Sequence, residues 1–210
     1  GTLSAGLSGG GVEAGALVER VLPEARRWAG TGVLHFQIQP GANLQGQGWG
    51  RSWIGGAEFS DWFHTVLRGF HEGLPGCSFG FPGLSPGDGI PGQRADAFEF
   101  LHAAESAAQA ADWIGVHCYW NGPHGASGPD GIGRVERYRR WFPEKLLMVT
   151  EFGDLASAPD EQARAHRILA FHRAARQVAN LGAVFGYVLS TQDGYPGDAW
   201  RREGEDGRAL

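Results

Sequence analysis

Glu151 is the residue of this 210-residue chain whose position points most directly to chemistry. It directly follows the apolar run Leu146–Thr150, and the alternation of side chains along a strand places Glu151 on the same face as Leu147 and Val149. A carboxylate at the end of an apolar strand must be hydrated, paired or functional, because burying it alone is costly. We therefore expect Glu151 to point into the mouth of a barrel as a catalytic carboxylate. An ion pair with a nearby arginine is the alternative.

Two side chains of an earlier apolar run are predicted partners of this carboxylate. His117 and Tyr119 are two residues apart near the end of the run 112–119, so both are expected to face the same mouth as Glu151. A tyrosine or histidine donor would keep the carboxylate ionised and oriented, as a nucleophile requires.

Aromatic and polar residues collect where the apolar runs end, and this combination suits a sugar. A sugar ring offers C–H faces that stack on tryptophan and hydroxyl groups that need donors and acceptors. We expect at least one of Trp49, Trp53, Trp120 and Trp200 to bind substrate, although any one of them could instead fill a gap between loops. The predicted substrate-binding residues are Asn43, Trp49, His117, Tyr119 and Trp120.

An alternation of strands and helices must position these residues. Short apolar runs are followed by loops rich in Gly, Pro and Trp and then by amphipathic stretches, with about 33 to 44 residues from one strand to the next. Most of the runs are almost continuously apolar, which is typical of parallel strands covered on both faces. The predicted strands are 33–38, 77–84, 112–119, 145–150 and 183–189, and the predicted helices are 12–28, 57–72, 95–111, 134–142 and 159–180.

This alternation predicts an α/β fold with parallel strands, but does not separate a doubly wound sheet from a (β/α) barrel. A phosphate-binding loop would favour the former. Gly9, Gly11 and Ala14 match only a loose form of that motif, and no apolar strand precedes them. We interpret this stretch as a flexible lead-in; an anion-binding role is the alternative.

Three segments resemble retaining clan A glycoside hydrolases, the cellulase-like and xylosidase-like (β/α)8 TIM-barrel enzymes. The segment 149–153, Val-Thr-Glu-Phe-Gly, resembles the end of their seventh strand, whose glutamate is the nucleophile. The segment 112–120 resembles their sixth strand, whose His and Tyr line the neighbouring sugar subsite, and 185–190 is similar to the eighth. The resemblance covers about residues 30 to 200 and implies strands four to eight of the barrel, with Glu151 as nucleophile.

The chain departs from this family at the first apolar run. The family's fourth strand ends in an Asn-Glu-Pro-Asn-like motif whose glutamate is the acid/base, and aligning Asn43 with the end of that motif puts Gly41 in the place of the glutamate. Asp88, Asp193 and Glu58 are alternative acids. Two hypotheses follow: an active glycoside hydrolase whose acid lies elsewhere, or a lapsed pseudo-glycosidase that binds carbohydrate without cleaving it.

Composition and charge disfavour other classes of function. The net charge of -5 comes without a basic stripe for nucleic acid, and no apolar run approaches the length of a membrane span. Cys77 and Cys118 have no metal-ligand spacing and are expected to be small buried hydrophobes. We expect no metal and no cofactor, a glycoside or oligosaccharide as the partner, and no nucleic-acid or membrane partner. The compartment is left open.

The length conflicts with a complete barrel. A (β/α)8 barrel takes about 250 residues and eight strands, whereas five βα units are recognisable here. We therefore expect one barrel-like domain over residues 1–210 that is incomplete. Strands one to three would be absent from this chain, supplied by another polypeptide or replaced by association. The segment before residue 33 is expected to hold one helix and at most a fragment of strand.

Overall fold

The computed structural model describes residues 1–4, 11–121, 125–155 and 161–187. Strands and helices alternate along these segments. The strands are β1 Thr2–Leu3, β2 His35–Ile38, β3 Ser78–Phe81, β4 Trp113–Trp120, β5 Leu146–Asp154 and β6 Leu181–Gly186. The helices are α1 Ala14–Gly30, α2 Gly56–Gly73, α3 Ala97–Ala103, α4 Glu105–Ala110, α5 Ile132–Trp141 and α6 Glu161–Ala175.

The strands form one sheet in the order of the sequence, β1-β2-β3-β4-β5-β6. The pairings of β1 with β2, β2 with β3, β3 with β4, and β5 with β6 are parallel. Sequential parallel pairing with helices in the connections is the arrangement of a (β/α) barrel, whereas a doubly wound sheet reverses its strand order. The α/β prediction is confirmed, and each of the five predicted strands is present. The expected fragment of strand before residue 33 is β1, which has two residues.

The chain divides into two compact units. Unit 1 comprises residues 1–115 and 144–146, and unit 2 comprises residues 116–143 and 147–210. The division falls within β4 and β5, so the last residues of both strands, where the candidate catalytic residues lie, belong to unit 2. That residues 1–210 form a single domain stays a prediction.

An aromatic core holds unit 1 together. The sequence predicts helix α2 from apolar residues at helical spacing. In the structure these apolar side chains are buried. The fully buried ring of Phe59 on α2 contacts Trp53, Trp62 and Phe81 with centroid distances of 4.9–5.8 Å. The core of unit 1 therefore ties α2 to strand β3 and to the loop that follows β2.

A second aromatic cluster lies in unit 2, between the ends of two strands and a helix. Phe152 on β5 stacks on Trp120 of β4 at 5.9 Å, and Phe171 of α6 is 5.0 Å from both rings. Phe152 follows Glu151 directly, so the alternation of side chains sends it to the opposite face of β5. This packing anchors the outer face of the strand whose other face carries Glu151.

Two predicted helices differ from those found. The predicted helix 95–111 is divided at Ala104 into α3 and α4. The predicted helix 159–180 is wrong at its end, because α6 ends at Ala175 and β6 begins at Leu181. Gly182, which follows the end of the predicted helix range, therefore lies in the strand. The start of the predicted range, residues 159 and 160, lies outside the described residues.

Candidate active site

Glu151, His117 and Tyr119 come together in unit 2. The hydroxyl of Tyr119 donates a hydrogen bond of 2.7 Å to Oε2 of Glu151. The Nδ1 atom of His117 lies 3.5 Å from the same oxygen. The Glu151 side chain is 27 % exposed, so it is partly buried yet accessible to solvent. The three residues end neighbouring strands as the sequence pattern predicted, and the arginine ion pair considered as an alternative for Glu151 is not found among the described residues.

Two opposite effects set the pKa of Glu151. Burial raises the pKa, because a carboxylate is poorly solvated away from water, and the hydrogen bond from Tyr119 lowers it in part. Burial is the larger of the two effects. The carboxyl group therefore holds its proton to a higher pH than an exposed glutamate does, and Tyr119 is the contact that favours its ionised form.

His117 is neutral in this site. Burial, together with the positive charge of Arg134, lowers the pKa of His117 from 6.5 to about 3. Arg134 lies on α5, is itself buried, and pairs with Asp130 at 3.1 Å. Because His117 carries no charge near neutral pH, it can donate a hydrogen bond to Glu151 or accept one from a ligand, but it does not add an ion pair.

The structure adds two residues to this group that sequence reasoning missed. The ring of Tyr187, just after β6, packs edge-on against Tyr119 with the centroids 6.0 Å apart. Gly153 lies two residues beyond Glu151 on the same strand, and its backbone passes directly against the Tyr119 ring. The sequence identifies the segment around Tyr187 only by its similarity to the eighth strand of the clan A glycoside hydrolases. Gly153 is two residues from Glu151, so the alternation of strand faces indicates that both residues lie on the same face of the strand.

Trp120, a predicted sugar platform, lies in the hydrophobic core of unit 2. Its side chain is 2 % exposed, and its ring packs against Phe152 and Phe171. A sugar ring could stack on this indole only by displacing those contacts. The strand alternation accounts for the difference, since Trp120 follows Tyr119 and so points to the opposite face of β4.

Asn43 has a structural role in unit 1 that the sequence did not suggest. The residue is fully buried, and its amide nitrogen donates to the carbonyls of Ser85 and Ala95 at 2.9 and 3.0 Å. Its side-chain oxygen accepts from the Ser85 amide at 2.9 Å. The side chain therefore joins the loop after β2 to the loop after β3, and both of its amide protons are already used.

Trp49 and Trp53 have different environments within unit 1. Trp53 is buried and donates its indole N–H to the carbonyl of Ala42, so it is a core residue rather than a platform. Trp49 is half-buried and lines an open cleft of about 540 Å³ together with Ile54, Ile90 and Arg94. Of the four predicted platforms, Trp49 is the one with an accessible ring among the described residues, since Trp200 lies outside them.

Position 41, where the resemblance would place an acid/base glutamate, has a backbone that favours glycine. Its φ is +66°, and a Cβ there would lie 3.1 Å from Cδ1 of Leu44. Of the alternative acids, Glu58 accepts a hydrogen bond of 2.6 Å from the Ile54 amide near the start of α2, and Asp88 is exposed on a loop. Asp193 lies outside the described residues.

The environments of the two cysteines and the arrangement of metal-binding side chains bear on the chemistry. Cys118 is buried as predicted, and burial raises the pKa of its thiol to about 12. Cys77 is only half-buried, which corrects the expectation that both are buried. Among the described residues, His, Cys, Asp and Glu form no group of three or more with metal-binding geometry.

No described helix combines the length and apolar character needed to cross a membrane.

Comparison with known proteins identifies a shared fold. No protein-family model and no curated protein matches the sequence. Among solved structures, the chain resembles a GH128 subgroup II endo-β-1,3-glucanase from Sorangium cellulosum, with a TM-score of 0.69 and 19 % identity over 100 % of this chain and 76 % of that one. It also resembles a subgroup IV endo-β-1,3-glucanase from Lentinula edodes, with a TM-score of 0.59 and 16 % identity over 90 % and 64 % of the two chains.

A third similar structure is a subgroup III curdlan-specific exo-β-1,3-glucanase from Blastomyces gilchristii in complex with glucose. Its TM-score is 0.56, with 15 % identity over 80 % of this chain and 67 % of that one. The expected fold, an incomplete (β/α)8 TIM-barrel-like α/β fold, is thereby confirmed. The resemblance to TIM-barrel glycoside hydrolases is confirmed at the level of fold, while membership of clan A stays a prediction. The chain spans 64–76 % of the length of the three enzymes.

Proposed function

We propose that this protein acts on carbohydrate as a glycoside hydrolase, with β-1,3-linked glucans as its substrate class and Glu151 as the nucleophile of a retaining mechanism. The observation that carries this proposal is the hydrogen bond of 2.7 Å from Tyr119 to the partly exposed carboxyl of Glu151. The likeness in fold to three β-1,3-glucanases supports the substrate class.

The proposed first step is attack of the Glu151 carboxylate on the anomeric carbon. A bond forms between Oε of Glu151 and that carbon, and the glycosidic oxygen leaves with the bonding electrons and takes a proton from solvent. Water then attacks the same carbon and gives a proton to solvent, and the bond to Oε breaks, which releases the sugar and restores the Glu151 carboxylate. The attacking carboxyl must be ionised, and the Tyr119 hydrogen bond favours that form.

Without an identified general acid, protonation of the leaving oxygen is expected to be the slow part of this chemistry. A retaining enzyme needs a second carboxyl group, and a positioned general acid contributes about 10²- to 10⁴-fold to the rate. Glycosides with an acidic leaving group need little protonation. We therefore expect this chain to favour activated aryl glycosides strongly over natural glucans.

The open cleft beside Trp49 is a proposed contact for the carbohydrate chain. The half-buried indole offers a face for a sugar ring, and Arg94 and Glu99 in the same cleft offer a donor and an acceptor for hydroxyl groups. Trp49 is held in place by its own N–H, which donates to the Ile54 carbonyl at 2.6 Å. Its replacement by alanine is expected to weaken oligosaccharide binding about fivefold, since an aromatic contact is worth about 1 kcal/mol.

The test is hydrolysis of 2,4-dinitrophenyl β-glucoside and of β-1,3-gluco-oligosaccharides by the chain and by Glu151→Gln. Glu136→Gln, at an exposed glutamate of α5 in the same unit, is the matched control. We expect turnover of the aryl glycoside by the chain and the control, and its loss in Glu151→Gln. A 2-deoxy-2-fluoroglucoside should label Glu151, which peptide mass spectrometry would locate.

Two outcomes would contradict this proposal. Turnover that persists in Glu151→Gln would exclude Glu151 as nucleophile. Saturable binding of the oligosaccharide without turnover of the activated glycoside would show a carbohydrate-binding protein rather than a hydrolase.

A further inference from the structure

We propose that Gly153 is a positioning residue for Glu151: its missing side chain admits the Tyr119 ring against β5 and so fixes the Tyr119 hydroxyl on the carboxyl group. The role of this contact in catalysis rests on the proposed function, whereas its effect on Glu151 does not. The contact itself lies wholly within unit 2 and involves the ends of two neighbouring strands.

The space at Gly153 is already occupied by the tyrosine. A Cβ built on Gly153 would lie 2.9 Å from Cε1 and 3.0 Å from Cδ1 of Tyr119. Carbon atoms in van der Waals contact are about 3.5–4.0 Å apart, so even a methyl group would force one of the two residues to move. Gly153 is buried within β5, and its φ is outside the left-handed region. The requirement for glycine is therefore steric and does not come from the backbone conformation.

The neighbours of the Tyr119 ring limit how far the ring can move. Tyr187 packs edge-on against the ring with centroids 6.0 Å apart, and His117 lies perpendicular to it at 6.4 Å. A displacement of the ring away from Gly153 changes its packing against these neighbours and carries the hydroxyl with it. A hydrogen bond of 2.7 Å leaves little tolerance for such a shift.

The consequence for Glu151 has a definite sign. Burial raises the Glu151 pKa, and the Tyr119 hydrogen bond lowers it. Losing that bond leaves burial unopposed, so the pKa rises further and the ionised form needed for attack is present only at higher pH. Gly153 has no side chain to contact the carboxyl group, and it thereby acts on the nucleophile through Tyr119.

The experiment measures the Glu151 pKa directly and requires no catalysis. The side-chain carboxyl carbons of glutamate are labelled with ¹³C and titrated by NMR, and the Glu151 resonance is identified by its absence in Glu151→Gln. The pKa is compared in the wild type, Gly153→Ala, Tyr119→Phe and the double variant. Gly15→Ala is the matched control, because a Cβ there has no neighbour within 4 Å.

We expect Gly153→Ala and Tyr119→Phe each to raise the Glu151 pKa, and the double variant to raise it no further than Tyr119→Phe alone. Gly15→Ala should leave it unchanged. An unaltered Glu151 pKa in Gly153→Ala, or fully additive shifts in the double variant, would overturn the proposal.

A second measurement covers a Gly153→Ala variant that does not fold. Combining it with Tyr119→Leu removes the ring that the new methyl group would strike, so the double variant should fold and unfold thermally at a higher temperature than Gly153→Ala does. A double variant that folds no better than Gly153→Ala would contradict the steric contact. If the NMR coupling is found but no glycoside is turned over, the positioning role stands and the proposed hydrolase activity fails.

Discussion

One carboxyl group carries the proposed chemistry, and its neighbours decide how often it is ionised. Burial raises the Glu151 pKa and Tyr119 opposes that effect, while His117 stays neutral because it is buried near the cation of Arg134. A protonated His117 would stabilise the carboxylate strongly and reduce its reactivity toward an anomeric carbon. The hydrogen bond from Tyr119 orients Glu151, and the neutral His117 nearby does not pair it with a full charge.

The buried neutral His117 predicts a pH dependence of stability. Its folded-state pKa of about 3 is below its ordinary value of 6.5, so between these values the unfolded chain binds a proton that the native chain does not. Stability contributed by this residue is therefore lost as the pH falls from 6.5 toward 3, by up to about 1.4 kcal/mol per pH unit. Urea unfolding at several pH values should show a shallower decline in His117→Asn. Equal slopes for the two proteins would contradict the buried neutral state.

The structural role of Asn43 predicts a loss of stability rather than a pure loss of binding. Asn43→Ala removes three hydrogen bonds and leaves the Ser85 and Ala95 backbone groups without them, which is expected to cost about 2 kcal/mol or more in the free energy of unfolding. Chemical denaturation measures this cost. Trp49→Ala is the control, since its half-buried ring should affect oligosaccharide binding with a smaller change in stability. A stable Asn43→Ala variant that had lost oligosaccharide binding would instead support a substrate contact.

The boundaries of single elements follow from local contacts that sequence periodicity does not reveal. Helix α3 begins after Asp96, whose carboxylate accepts from the backbone amides of Phe98 and Glu99 at 2.9 and 2.8 Å. Such a cap satisfies amides that have no partner in the first turn. Helix α6 ends at Ala175, before the predicted end at residue 180, and strand β6 begins at Leu181.

The Asp96 cap predicts the effect of two substitutions on helix α3. Asp96→Ala is expected to lower the free energy of unfolding by about 1 kcal/mol, because the two amides lose their acceptor. Asp96→Asn keeps an acceptor oxygen and should cost less than half as much. Denaturant unfolding of the two variants tests the cap, and equal losses would show that the carboxylate charge matters rather than the hydrogen bonds.

At the scale of the whole molecule, the order of the strands leaves two ends. The order begins with the two-residue β1 and finishes with β6, where Phe185 is 56 % exposed. Parallel strands are normally paired on both sides, and open edges with exposed apolar residues favour association. That another copy or another chain covers these edges stays a prediction from the sequence, as does its alternative that further strands are absent from this chain.

This prediction is tested by the mass of the chain in solution. We expect light scattering coupled to size exclusion to give a mass above the 22.5 kDa of one chain, rising with concentration. Phe185→Asp adds a charge at the β6 edge and should reduce that association, whereas Glu136→Gln on α5 should not. A monomer that stays soluble over a wide range of concentrations would contradict the prediction.

The sequence by itself determined the α/β class, the five strands and the convergence of Glu151, His117 and Tyr119. These features depend on local periodicity: a strand alternates its faces every residue, and parallel strands bring their ends to one edge. The same rule applied to Trp120 would have sent it to the opposite face from Tyr119, which is where it lies.

Only the tertiary structure decided the roles of Asn43, Trp53 and Gly153. Asn43 is satisfied by the Ser85 and Ala95 backbone groups, about forty to fifty residues further along the chain, and Trp53 packs against the rings of Phe59 and Trp62 on α2. Gly153 is required by a ring on another strand. Whether a polar or aromatic side chain near a strand end serves a substrate or the fold depends on such long-range contacts, which periodicity along the chain does not encode.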